Sequence, residues 1–143
     1  MKKAILERCI NRIIDANINR AKEGLSVCEE ITRFIIEDST LTKDLKNIRH
    51  AVSELSSRIA PRNTIFQSRN AKKDIGKNIY ASELERRKIQ DILFANLQRS
   101  KESIRALEEF SKLASVKTAL GFKELRYKLY ELEKKIILKA SKL

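Results

Sequence analysis

The 143-residue sequence contains no tryptophan, one proline, three glycines and two cysteines. So few turn-forming residues supply little of the chemistry that the tight turns of a many-stranded protein need. Leu, Ile, Lys, Glu, Arg and Ala are abundant instead, and most of them lose little conformational freedom in a helix. The composition therefore predicts an all-α fold, and the length predicts one domain with a single hydrophobic core.

The sequence also lacks long apolar runs and paired cysteines. No uninterrupted apolar stretch approaches the roughly 20 residues that a membrane-spanning helix requires. The N-terminal segment MKKAILERC soon becomes charged again, unlike a targeting sequence, so we expect a cytoplasmic protein with no membrane partner. Cys9 and Cys28 have no metal-ligand spacing, and we expect both to be reduced thiols that serve as small apolar side chains.

Charge is plentiful, and it is strongly unequal in sign. The 31 basic and 19 acidic residues give a formal net charge of +12. Such an excess favours an anionic partner, which is nucleic acid, an acidic lipid headgroup or a phosphorylated small molecule. Charge alone does not distinguish among these three.

An apolar stripe on the first predicted helix is interrupted by Asn17 and Arg20. The other positions of this stripe, which follow one another at alternating intervals of three and four residues through 10–34, are apolar or small. The same interruption recurs 79 positions later, where Asn96 and Arg99 occupy the same frame. Two polar pairs in register indicate a feature that a duplication has preserved.

A second apolar stripe follows each of these segments. The two stripes correspond at an offset of 77 positions, which also matches Arg49 with Arg126. We therefore predict a four-helix bundle built from a duplicated antiparallel helical hairpin, with hairpins at 1–60 and 82–143 and an irregular flap at 61–81. The matched stripe residues are Leu45, Ile48, Val52, Leu55 and Ile59, with Phe122, Leu125, Leu129, Leu132 and Ile136.

Local signals suggest where the helices begin. Asp38, Ser39 and Thr40 supply a turn and a choice of N-cap for the second helix. Ser82 followed by Glu85 matches a capping box and predicts a third helix over about 83–113. A connection as long as the flap is either functional or disordered, and its apolar residues favour an ordered flap. The expected anchors are Ile65, Phe66, Ile75, Ile79 and Tyr80.

An arginine in a helical core is costly unless a counter-charge is supplied. One reading gives Arg20 and Arg99 an internal partner, such as Glu54 or Glu131 across the bundle. The other reading places Asn17, Arg20, Asn96 and Arg99 around a polar cavity, with the small residues Gly24 and Ser103 leaving room. A phosphate would suit the guanidinium fork of arginine and the amide of asparagine.

The glycine-rich signatures G-x-x-x-x-G-K-S/T and G-x-G-x-x-G are absent. Any nucleotide would have to be held by side chains and by the flap. Asp74, beside Gly76, is the acidic residue that we select for Mg²⁺. The competing hypothesis is a basic helical nucleic-acid-binding protein, but Lys and Arg are spread over both hairpins and no recognised nucleic-acid motif is present.

The residues themselves resemble a known family, the compact helical hydroxymethylpyrimidine phosphate kinase of thiamine biosynthesis. The resemblance extends over nearly the whole chain, and its DANxNRAxEGL signature is quite specific. The family's domain occurs alone or fused ahead of thiamine phosphate synthase. The matching segments are Asp15-Ala16-Asn17, Asn19-Arg20-Ala21, Glu23-Gly24-Leu25, Glu29-Glu30, Arg33-Phe34, Ile48-Arg49-His50, Arg69, Asp74-Ile75-Gly76, 105–109, Leu125-Arg126-Tyr127 and Tyr130.

The resemblance implies transfer of the γ-phosphoryl group of ATP to hydroxymethylpyrimidine phosphate, with Mg²⁺ on the nucleotide. An already ionised phosphate would attack, so no general base is strictly required. The sequence departs from the family at Asn70, Ala71 and Lys77, which leaves Asp74 as the main metal candidate.

Our hypothesis then gives each candidate residue a role. It assigns Arg20, Arg99 and Arg69 to phosphate groups, Arg49 and Arg126 to support or further phosphate contact, and Asn17 and Asn96 to the pyrimidine or its phosphate. A third hypothesis is a non-catalytic partner domain for thiamine phosphate synthase. The long helices are also compatible with a homodimer.

Overall fold

The computed structural model describes residues 2–143, and within them it contains helices and no β-strand. The prediction of an all-α fold is confirmed. Two short 3₁₀ helices lie between the third and fourth α-helices, at Ala71–Lys73 and Ala81–Leu84. The α-helices are α1 (Lys2–Phe34), α2 (Ser39–Ser57), α3 (Arg62–Gln67), α4 (Ile89–Ser111) and α5 (Val116–Ala140).

The four long helices pack in a ring. Helix α1 contacts α2 and α4, and α5 closes the ring by contacting both α4 and α2. Thr42 donates a hydrogen bond to Thr32 while Arg49 pairs with Glu29, so α2 runs antiparallel to α1. The arrangement is bundle-like, as the duplicated stripes predict.

Helices α1 and α4 are also antiparallel, and equivalent residues meet at their crossing. The Ser100 hydroxyl donates to the Ala21 carbonyl at 3.2 Å, and these two positions are equivalent at the offset of 79. Two equivalent residues that face each other across antiparallel helices mark a local pseudo-twofold axis. Gly24 lies close to this axis, and a Cβ added there would be 2.8 Å from the Asn96 carbonyl oxygen. Gly24 therefore permits close helix contact, and the expected space beside it is filled.

The core consists of one stripe from each long helix. The predicted stripe of α5 is buried throughout, and that of α2 is buried from Leu45 to Val52. Cys28 is a buried member of the core, as expected, and burial raises the pKa of its thiol to about 12. Cys9 is exposed, which differs from the expectation for that residue, because the first two turns of α1 extend past its neighbours. Among residues 2–143, no helix combines the length and hydrophobicity needed to cross a bilayer.

The helix starts were only partly predictable. The Asp38 carboxylate accepts a hydrogen bond from the Leu41 N–H at 2.9 Å and caps α2, so the cap is one of the three residues expected there. Helix α4 begins at Ile89, so the capping box predicted at Ser82 and Glu85 is wrong. Residues 83–88 carry no apolar stripe that would pack against the bundle, and a local cap alone does not stabilise a helix.

The segment between the hairpins divides into two parts. Helix α3 packs against α1 through Ile65, which is buried. All residues in 71–88 are exposed, so the expected apolar anchors Ile75, Ile79 and Tyr80 contribute no core contact. Phe66 is exposed as well, and the Arg69 guanidinium lies 4.6 Å from the centre of its ring. The flap is therefore attached to the bundle at its N-terminal end.

Candidate functional site

The two asparagines of the interrupted stripe are satisfied within their own helices. The Asn17 amide donates to the Ile13 carbonyl, and the Asn96 amide donates to the Ile92 carbonyl, each at 2.8 Å. Asn17 is buried and Asn96 is half-buried. The identical bonds show that the duplication preserved the local structure as well as the residue types.

Arg20 and Arg99 are both exposed, so the expectation of two arginines inside a core is wrong. The apolar arc of α1 is wide, and its neighbouring stripe, which contains Ile14 and Leu25, forms the core instead. Within the interrupted stripe, Asn17, Gly24 and Ile31 are buried, whereas Arg20 is exposed. Binding of phosphate by Arg20 and Arg99 stays a prediction for an exposed surface.

Arg49 and Arg126 hold carboxylates of the preceding helix. Arg49 pairs with Glu29 at 2.9 Å, and Arg126 pairs with Glu108 at 3.2 Å. The pairs are equivalent under the duplication, and each joins the two helices of one hairpin. Both arginines therefore have a structural role, in addition to any contact with a ligand.

Arg69, which the sequence analysis assigns to a phosphate group, lies in a defined groove. The groove has a volume of about 460 Å³ and is bounded by α1, α2 and α3. The side chains from α1 are spaced so that they share one helix face, at intervals of four and three residues. The residues that line the groove are Asp15, Ile18, Asn19, Lys22, Ser53, Ser56, Ser57, Ala60, Arg62, Ile65, Phe66 and Arg69.

Asp15 fixes Arg69 at this groove through two parallel hydrogen bonds. The Nε and Nη2 atoms of Arg69 donate to the Asp15 carboxylate at 2.7 and 2.8 Å. The hydrogen bond to Asp15 raises the pKa of Arg69 above its ordinary value, so the guanidinium stays charged. The pair joins α1 to the start of the flap, and the stacking of Arg69 on Phe66 further orders this end.

Two further cations in the groove have no protein partner among residues 2–143. Neither Lys22 nor Arg62 makes a side-chain hydrogen bond or an ion pair there. With Arg69 they outnumber the single lining carboxylate of Asp15, so the groove carries excess positive charge. A surplus of uncommitted cations beside an exposed aromatic ring suits a phosphorylated aromatic compound.

Sequence reasoning missed four of these residues as site candidates. Asp15, Asn19 and Lys22 stand inside the DANxNRAxEGL signature, and their spacing places them on one face of α1. That spacing was the sequence signal from which these three site residues could have been predicted. Arg62 carried no comparable signal, because only the packing of α3 against α1 brings it to the groove.

Asp74 does not belong to a preformed metal site. It is exposed, and its carboxylate accepts a hydrogen bond from the Gly76 N–H at 2.8 Å. Residues 2–143 contain no group of three or more His, Cys, Asp or Glu side chains that would hold a metal ion. A single exposed carboxylate does not fit a resident Mg²⁺, and Asp74 as a metal ligand stays a prediction.

The fold and the groove together define an all-helical domain with a groove of excess positive charge. The sequence profile of the ThiD2 family matches residues 12–135, and the chain belongs to this family. No solved structure matches the chain significantly.

The curated relatives are enzymes of thiamine biosynthesis. The thiamine-phosphate synthase of Synechocystis sp. is 37% identical over 125 residues, which are 87% of this chain and 35% of that protein. The corresponding proteins of Rhodopirellula baltica and Nostoc punctiforme are 36% and 34% identical, over 92% and 95% of this chain. The chain thus spans only about a third of the length of these relatives, since the match covers 35% and 38% of the latter two.

Proposed function

We propose that this chain is an ATP-dependent kinase of hydroxymethylpyrimidine phosphate and produces the corresponding diphosphate for thiamine biosynthesis. Membership of the ThiD2 family and the likeness to thiamine-phosphate synthases support the pathway. In the reaction a substrate phosphate oxygen forms a bond to the γ-phosphorus of ATP, and the bond from that phosphorus to the β–γ bridging oxygen breaks. ADP leaves with the electron pair of that bond.

The observation that carries the proposal is the cationic groove between α1, α2 and α3. Lys22 and Arg62 are the cations without a protein partner, and we assign them to the phosphate of the pyrimidine substrate. Asn19 offers an amide for the ring nitrogens and the amino group of the pyrimidine. The exposed ring of Phe66 offers a surface against which the pyrimidine would stack.

The reaction requires the protein mainly to position the two phosphate groups and to neutralise their charge. The attacking phosphate has a second pKa of about 6 and is largely ionised near neutral pH, so a general base is not needed. Two anions must still be held together in line. Arg69 stays charged because of Asp15, and within the flap it lies between α3 and the lysines at 72, 73 and 77. Because the described residues assemble no metal cluster, we assign no step to Mg²⁺ as a resident ion.

Incubation with ATP, Mg²⁺ and hydroxymethylpyrimidine phosphate tests the activity, with the pyrimidine diphosphate as the product measured. For Lys22→Met we expect kcat/KM to fall by about 10- to 100-fold, because a charge-assisted hydrogen bond contributes about 1.5–3 kcal/mol. Lys128→Met is the matched control, since Lys128 is an exposed lysine on α5 outside the groove. Absence of product from the folded wild-type protein would refute the kinase.

Arg20 and Arg99 are tested by the same assay. If they bind phosphate as predicted, separate substitutions to Met reduce substrate affinity or turnover while the helical signal is kept. Both arginines are exposed, so neither substitution leaves a buried charge without a partner. Full activity of both variants would remove these residues from the site and leave the groove proposal intact.

The second candidate function is a non-catalytic partner domain of thiamine-phosphate synthase. It is favoured by the fact that the match covers only 35% of the Synechocystis thiamine-phosphate synthase. Under this hypothesis the chain binds a separate synthase and stimulates it without consuming ATP. Co-purification with the synthase, combined with no diphosphate product, would favour this candidate over the kinase.

A further inference from the structure

A second cationic cleft lies in the other hairpin, between the C-terminal part of α4 and the start of α5. Its volume is about 610 Å³, and its lining includes four cations and one carboxylate. Helix α5 contributes the apolar lining residues together with two of the cations. The lining residues are Arg105, Glu108, Lys112, Val116, Ala119, Leu120, Lys123, Arg126 and Tyr127.

Because the chain is duplicated, the first hairpin contains an equivalent cleft with which this cleft can be compared. The equivalent cleft of the first hairpin has a volume of about 620 Å³ and is lined by three cations and three carboxylates. It is electrically balanced, and it is rich in hydroxyl groups where the second cleft has apolar residues. Its lining residues are Glu29, Arg33, Glu37, Asp38, Ser39, Thr42, Lys43 and Lys46.

Specific replacements create the difference in charge. The cap of α2 is the carboxylate of Asp38, whereas the cap of α5 is the neutral hydroxyl of Ser115. At the offset of 79, Ser26 of the first hairpin corresponds to Arg105 of the second. The second cleft therefore has fewer acidic groups and one more guanidinium than the first.

Two donors in the second cleft remain unused by the protein. Lys123 makes no ion pair or side-chain hydrogen bond among residues 2–143, and the buried Nε of Arg126 has no hydrogen-bond partner there. The carboxylate of Glu108 is occupied by Arg105 and Arg126, and that of Glu109 by Lys112 and Arg105. The existing carboxylates therefore leave positive charge in the cleft uncompensated.

We infer that the cleft between α4 and α5 binds a nucleotide, with its phosphates at Lys123 and Arg126 and its base against Tyr127 and Leu120. Tyr127 and Leu120 are exposed by 56% and 55% and form an aromatic and aliphatic surface at one side of the cationic cluster. A flat base stacks on such a surface, and a polyphosphate suits the lysine and the arginine fork. This site is distinct from the groove that we assign to the pyrimidine phosphate.

Calorimetric titration of the full chain with ATP, at fixed ionic strength and without Mg²⁺, tests the inference. We expect Lys123→Met to weaken ATP binding by about 10-fold or more, because it removes a charge-assisted contact. Lys46→Met is the matched control at the equivalent position of the balanced cleft, and it should change the affinity by less than about twofold. Equal effects of the two substitutions would overturn the inference.

A second variant tests the charge of the cleft without removing a lysine. Ser115→Asp copies the cap of the first hairpin and keeps the capping oxygen, so α5 should remain folded. We expect it to weaken ATP binding by several-fold, and unchanged binding would contradict the site. Weaker binding of ATP to the Lys22→Met variant alone would instead place the nucleotide in the first groove.

The same variants separate this inference from the proposed kinase. If the kinase is active and Lys123→Met weakens ATP binding, both proposals stand. If Lys123→Met weakens ATP binding but wild-type protein makes no diphosphate, the kinase proposal fails and the nucleotide site stands. If turnover and ATP affinity are both unchanged in Lys123→Met, the kinase stands and the nucleotide site fails.

Discussion

The two hairpins share a core and differ on their outer faces. In the first hairpin, Asp15 and Lys22 border an open groove with the flap at its edge. In the second hairpin, the half-exposed Phe94 stands at the position equivalent to Asp15, and Lys101 pairs with Glu133 at 2.8 Å. The cationic cleft of the second hairpin lies elsewhere, at the start of α5. Core positions were constrained by packing, whereas surface positions were free to diverge into different sites.

The largest expected difference between the hairpins concerns their equivalent ion pairs. The side chains of Glu108 and Arg126 are 4% and 14% exposed, against 14% and 26% for Glu29 and Arg49. Loss of one partner from a buried pair costs about 3–5 kcal/mol, because the other charge is left uncompensated. We therefore expect Glu108→Gln to lower the free energy of unfolding by about 3 kcal/mol, as measured by urea denaturation followed by circular dichroism.

Glu29→Gln is the matched control for that measurement. Its pair is more accessible to water, so the expected loss is closer to 1 kcal/mol. Equal losses in the free energy of unfolding for the two variants would show that the difference in burial does not change what the two ion pairs contribute to stability. The asymmetry between the hairpins would then be limited to their ligand sites.

A smaller difference is expected for two glycines within helices. At Gly24 a new Cβ would meet the Asn96 carbonyl oxygen at 2.8 Å, and that backbone atom cannot move independently of α4. At Gly121 the nearest atom is Cδ2 of Leu55 at 2.7 Å, which is the end of a flexible side chain. Gly24→Ala should lower the melting temperature by an amount that corresponds to about 1–2 kcal/mol, because overpacking exceeds the gain in helix propensity.

Gly121→Ala is the comparison for this prediction. Leu55 is only half-buried and can rotate away, so the gain in helix propensity of up to about 1 kcal/mol should offset most of the strain. We expect its melting temperature to stay close to that of the wild type. A stable Gly24→Ala protein would show that the α1–α4 contact is looser than the geometry indicates.

The smallest expected effect distinguishes the caps of the equivalent helices α2 and α5. The hydrogen bond from the Leu41 N–H, together with Lys139, holds the pKa of Asp38 below its usual value. Stabilisation by this carboxylate is present above its unfolded-state pKa of about 3.9 and is lost as the pH falls through the folded-state value. Asp38→Ser should therefore lose less stability than the wild type between about pH 5 and 3, as measured by urea unfolding at each pH.

Ser115 provides the reference for the pH series. Its hydroxyl caps α5 and does not titrate, so Ser115→Thr should show the wild-type pH dependence. An acid response of Asp38→Ser identical to that of the wild type would mean that other carboxylates govern the acid transition. The difference between the two caps would then have no measurable effect on stability.

The elements that were predicted correctly depend on local pattern. The matched stripes that include Leu45 and Phe122 identified the helices, the hairpins and the core, since apolar periodicity determines which helix face is buried. The capping box at Ser82 failed because the residues after it have no face to pack. Arg69 lies at the groove, but its partner Asp15 is 54 positions away and no local pattern joins them.

The sequence by itself determined the helical fold, its duplication and the positive charge. Composition, periodicity and the internal repeat follow from the order of the residues and do not depend on how the helices pack. Only the tertiary structure decided that Arg20 and Arg99 lie outside the core, because a wide apolar arc does not specify which of its stripes a neighbouring helix will cover. The tertiary structure likewise brought Arg62 to Asp15 and Lys22 and made one of two equivalent clefts cationic. Those arrangements depend on how separate helices pack.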